Sequence, residues 1–97
     1  MNAKLQNDNV KRFFQAVLNL ENLDACANFF DDICTIAEIQ EMSQRLFVAV
    51  LLDEKKTYQE ITKLTGASTA TISRINKCLE YGSDGYVYAL KRLKENK

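Results

Sequence analysis

The chain has 97 residues, a length that suits one domain, and its 46% hydrophobic content can furnish the core such a domain needs. Thirteen basic and thirteen acidic side chains cancel; there is no histidine, and the three cysteines show no CxxC spacing, so the common zinc sites and the usual catalytic base are excluded. The longest apolar run, residues 46–52, is far shorter than the ~20 residues that span a bilayer, so a cytoplasmic protein with no membrane partner is expected.

In chain order, Val10, Phe13, Phe14, Val17 and Leu18 recur at i, i+3, i+4, i+7 and i+8, the stripe of an amphipathic helix capped by Asp8 or Asn9. Glu21, Asn22 and Leu23 turn the chain into a second helix over 24–33, with Cys26, Phe29, Phe30 and Ile33 at helical spacing. Thr35 stands three residues before Glu38, a capping box that opens a third helix reaching about residue 53. Its apolar positions, from Ile36 and Ile39 to Val50 and Leu51, predict burial on much of its circumference. After the charged break at 53–56, Thr57 and Glu60 form a second capping box. They open a short helix that turns Ile61 and Leu64 inward and ends at Gly66. Ser68 caps the next helix, which buries Ile72, Ile75 and Leu79. A turn over 81–85 precedes a last helix from about Tyr86, with Val87, Leu90 and Leu93 as its apolar positions. No segment reads as a strand, so the expected fold is all-α. The chain is read as a single domain over 1–97, with core and dimerisation helices over 8–53, a helix pair over 57–79 and a C-terminal helix over 86–95.

Charge is divided between the two halves. Residues 1–54 carry four basic and nine acidic groups, net −5, and residues 55–97 carry nine basic and four acidic, net +5. Such a split is common on a solvated surface, but a basic half also suits a nucleic acid, whose counterions it displaces. The stretch TGASTATISRINK, residues 65–77, lies in that half. It fits the turn and second helix of a helix-turn-helix, where a glycine swings the chain and the second helix enters the major groove. It also fits a plain αα-hairpin with solvated hydroxyls. In the DNA-reading interpretation Thr69, Ala70 and Ser73 are short enough to let the backbone approach base edges, and Ser68 and Thr71 lie at the helix N-terminus, where phosphate is held. Arg74 and Lys77 continue that outer face. Two copies set about 34 Å apart by a symmetric dimer would match successive major grooves. The phenylalanine-rich first two helices, through Phe13, Phe14, Val17, Phe29, Phe30 and Ile33, are the expected pairing surface, although each of these residues singly also reads as core. The acid pairs Asp31/Asp32 and Asp53/Glu54 fall at helix ends, no glycine-rich phosphate cradle appears, and no enzyme is expected. Cys34 and Cys78 read as small buried hydrophobes.

Arg45, Leu46, the run Tyr58 to Ile61, then TGASTATISRINKCLEYG and Gly85, Tyr86 together resemble the tryptophan repressor superfamily, most closely its bacterial YerC/YecD branch. The match is strong over about residues 35–90. The resemblance implies a six-helix, intertwined homodimer that binds double-stranded DNA, with the helix-turn-helix as fourth and fifth helices. It places Thr69, Ala70 and Ser73 near bases and Gln59, Thr71 and Asn76 near the backbone or neighbouring groups. It also implies an effector pocket around Thr35, Arg45, Arg74, Ile75 and Cys78. Here the chain departs from the repressors: Ile75 and Cys78 stand where they have glycine and serine. An isoleucine side chain occupies space an indole would need. The expectation is therefore a DNA-binding regulator that takes either no ligand or one other than L-tryptophan, with no cofactor and no metal, and with Arg74 contacting phosphate or an acidic neighbour. A helical protein-interaction module without DNA affinity is the alternative.

Overall fold

The computed structural model describes residues 2–96. Among them are a 3-10 turn at Ala3–Leu5 and six α-helices: α1 Asp8–Leu18, α2 Leu23–Ile33, α3 Ile36–Asp53, α4 Tyr58–Thr65, α5 Thr69–Tyr81 and α6 Gly85–Glu95. No strand occurs among the described residues.

Side-chain oxygens start most of these helices. Asn7 Oδ1 accepts from the Val10 amide at 2.9 Å and Asn22 Oδ1 from the Ala25 amide at 2.8 Å. The first cap thus falls one residue ahead of the expected Asp8, leaving that carboxylate in the first turn, where the helix dipole favours it. Leu23 is helical rather than part of the turn. Both capping boxes form: Thr35 Oγ1 accepts from the Glu38 amide at 3.1 Å while Glu38 Oε1 accepts from the Thr35 amide at 2.8 Å, and Thr57 and Glu60 do the same at 3.2 and 3.1 Å. The Thr35 N–H, and then its hydroxyl, hold the Glu38 carboxyl below its ordinary pKa. α6 begins one residue before the expected Tyr86, after Asp84 in a left-handed conformation with no side-chain cap.

The described chain forms two compact units, Met1–Ile39 and Gln40–Lys97, the boundary falling inside α3. In the first, Phe13 packs tilted against Phe14 and Phe29, and Phe29 edge-to-face against Phe30, with ring centroids 5.4–6.1 Å apart. No residue of α1 or α2 is buried within the chain. Leu18 is 77% and Leu23 82% exposed.

The second unit holds the core: Val48, Ala49, Leu51, Ile61, Ala67, Ile72, Ile75 and Leu90, flanked by partly buried Leu46, Val50, Leu52, Leu79 and Tyr86. Because this core gathers on the C-terminal half of α3, the expected burial around most of that helix is restricted to residues 48–51, and Ile36, Met42 and Phe47 are exposed. Leu64 also departs from expectation. It is 58% exposed while Ile61 is 0%, because the inward stripe of α4 runs from Ile61 to half-buried Thr65 at i+4. Val87 and Leu93 are exposed as well, flanking the buried Leu90. Lys94 Nζ lies 2.6 Å from Asp53 Oδ2, tying the end of α6 to the end of α3. No helix among the described residues is long and apolar enough to cross a membrane.

Candidate nucleic-acid interface

The turn between α4 and α5 is built from three local devices. Gly66 takes φ 76°, a left-handed conformation that side-chain-bearing residues adopt at a cost, and its amide donates to Thr62 O at 2.8 Å, closing the end of α4. Thr65 Oγ1 donates to Ile61 O at 2.7 Å and accepts from the Ala67 amide at 3.1 Å. Ala67 is buried beneath the turn. Ser68 then caps α5, its Oγ accepting from the Thr71 amide at 3.2 Å and donating to Thr71 Oγ1 at 3.1 Å. Only three residues separate the two helices, Gly66, Ala67 and Ser68, so the start of α5 is set by the end of α4.

From that start α5 has two faces. Ile72 and Ile75 are buried and Leu79 packs on the core. Ala70, Ser73, Arg74 and Lys77, at i, i+3, i+4 and i+7, make the opposite stripe; Ala70, Arg74 and Lys77 are exposed and Ser73 half-buried. Thr69 is exposed at the N-terminus, Thr71 is half-buried within the cap, and Gln59 is exposed at the start of α4. Asn76 is half-buried, with its Nδ2 3.5 Å from Glu80 Oε1. Arg74, Lys77 and Lys63 form no ion pair with another described residue. No acidic neighbour thus pairs with Arg74. The N-terminal half of α5 presents short hydroxyl and methyl side chains, and its flank presents unpaired cations. That combination can approach a polyanion closely and hydrogen-bond it.

The five residues expected around an effector have distinct local surroundings. Thr35 is engaged in its capping box. Arg45 is exposed, with Nη2 3.9 Å from Glu41 Oε2. Ile75 is 3% exposed and part of the core. Cys78 is exposed, which corrects its reading as a buried hydrophobe: α5 turns it to the helix edge beyond Ile75, where it lines an open depression of about 500 Å³ beside Leu46, Gly82 and Tyr86. Of the five, Cys78 alone lines that depression. Cys34 is half-buried.

Sequence reasoning missed Gln44. It lies on α3 on the stripe of Val48 and Leu51, and its Nε2 donates to the Thr65 carbonyl at 2.9 Å. A polar side chain at i−4 and i−7 from two buried positions was the available signal.

An all-helical fold whose fourth and fifth helices form a helix-turn-helix, with the second of the pair exposed along one face, defines a class of DNA-binding regulators. The chain matches the Trp repressor protein family over residues 8–94 and belongs to that family. It is 52% identical over 92 residues to the uncharacterised protein YerC of Bacillus subtilis, covering 95% of this chain and 88% of that protein. The structure superimposes on a TrpR-like protein of Eubacterium eligens with TM-score 0.92 and 52% identity, covering 96% of each chain. It matches a protein of Staphylococcus aureus described as a proposed Trp repressor with TM-score 0.88 and 46% identity, covering 94% of this chain and 91% of that one. The family is regulatory and DNA-binding, not enzymatic.

Proposed function

We propose that this chain is a sequence-specific DNA-binding transcription regulator that acts as a homodimer in the cytoplasm and represses by occluding its operator. The observation that carries the reading is the outer face of α5, where Thr69, Ala70, Arg74 and Lys77 stand exposed around a capped helix start with no internal ion pair. On this reading Thr69, Ala70 and Ser73 approach bases, Gln59, Thr71 and Asn76 approach the backbone, and Arg74 and Lys77 contact phosphate. Ser68 acts mainly as the cap that aims the helix. The uncovered apolar face of α1 and α2 supports pairing of two chains, with Phe13, Phe14, Val17, Phe29, Phe30 and Ile33 at the seam. Its effector is a ligand other than L-tryptophan, or none; what supports this is the isoleucine at position 75, where the resemblance places glycine in the tryptophan-binding repressors.

Fluorescence titration with duplex DNA at falling salt tests this. Affinity rises steeply as salt is lowered, because each phosphate contact releases counterions. A chain that binds no duplex even at low salt is a helical interaction module instead. Selection from a random duplex library supplies the operator, and calorimetry with L-tryptophan gives no binding heat at micromolar ligand.

A further inference from the structure

The three local devices of the turn fix its shape, but all of them lie within α4, the turn and α5. The bond from Gln44 reaches it from another element, across 21 residues of sequence. Its acceptor is the carbonyl of the last residue of α4, one of the four that a helix leaves without an internal donor. The half-buried Gln44 amide and the half-buried Thr65 carbonyl satisfy each other at 2.9 Å. Thr65 also carries the hydroxyl that accepts from Ala67 N, and Ser68, the cap of α5, follows three residues later. Gln44 therefore grips the turn where the direction of the recognition helix is set. Its own helix is rigidly seated one turn further on, where Val48 and Ala49 are 0% exposed.

We propose that Gln44 is a positioning residue for DNA recognition: by holding the Thr65 carbonyl to α3 it fixes the angle at which α5 presents Thr69, Ala70 and Ser73, without touching DNA itself. The proposal rests on the DNA-binding reading above. A recognition helix free to rock keeps its cations near phosphate, which tolerates small displacements, and loses base contacts, which do not.

Two variants test it in the full-length protein. Gln44→Leu removes the donor, and Gln44→Glu, nearly isosteric, removes it in the ionised form. In both, the ratio of affinities for a library-selected duplex and a random duplex falls about tenfold, while affinity for the random duplex stays within about twofold. The Ala67 amide exchanges with solvent faster, and the Ile72 amide, in the core of the unit, is unchanged. An unaltered ratio in either variant overturns the proposal, as does a parallel fall in both affinities, which is the mark of a general loss of folded protein. Wild-type protein that binds no duplex overturns the DNA-binding reading itself, whereas normal wild-type selectivity retained in the variants overturns only the role of Gln44.

Discussion

Individual residues of the helix-turn-helix differ sharply in what they carry. Ile61 and Leu64 stand three positions apart on α4, yet one is fully buried and the other 58% exposed. Ile61→Ala is expected to destabilise the chain by about 2–5 kcal/mol through lost transfer energy and an unfilled cavity. Leu64→Ala stays within about 1 kcal/mol, and urea denaturation of both variants checks the contrast. At Gly66 a Cβ would meet nothing within 4 Å, so the penalty for Gly66→Ala is conformational rather than steric, about 1–2 kcal/mol from the left-handed backbone. Thermal unfolding reads this as a lower Tm. A Gly66→Asn variant loses less, because asparagine tolerates that conformation better.

At the scale of elements, the helix ends follow from local chemistry. The boxes at Thr35–Glu38 and Thr57–Glu60 close over three residues, so both donors and acceptors are present in the sequence itself. The first box makes α3 sensitive to acid. Glu38 is held below its ordinary pKa by the Thr35 N–H, so its contribution is full above the ordinary carboxylate value and is lost as pH falls through the lowered one. The protection of the Thr35 amide, the exchange rate of an unprotected amide at the same pH relative to its own, therefore falls on acidification in the wild type. In Glu38→Gln, which keeps the box but cannot titrate, that loss of protection disappears. The burial pattern of α3 was less legible: its apolar residues are spread along its whole length, but only the residues facing α4, α5 and α6 are buried within this unit.

For the whole molecule, the proposed dimer is what gives the exposed face of α1 and α2 a purpose. A chain whose Leu18 and Leu23 remain largely in water either pairs or associates non-specifically. Sedimentation is expected to give twice the mass of one 11.1 kDa chain. Phe14→Asp, placing a charge on the half-exposed seam, is expected to shift the species toward monomer and to weaken operator binding about a hundredfold or more, since half-sites joined in one molecule benefit from their effective concentration. A monomeric wild type that still binds its operator with undiminished affinity would remove the dimer from the mechanism.

The helices, the caps of α3, α4 and α5, the glycine turn and the outward stripe of α5 were legible in the sequence, because each depends on residues no more than one or two turns apart; the caps Asn7 and Asn22 were not. The opposite charges of the two halves were legible too, though not which cations would stand unpaired. Tertiary structure decided the rest. It placed Leu64 and Cys78 outside, concentrated the core on residues 48–51 of α3, joined Lys94 to Asp53 and brought the Gln44 amide to the Thr65 carbonyl. Local hydrogen bonds are set by spacing along the chain, whereas burial and long-range bonds depend on which surfaces meet once the helices pack.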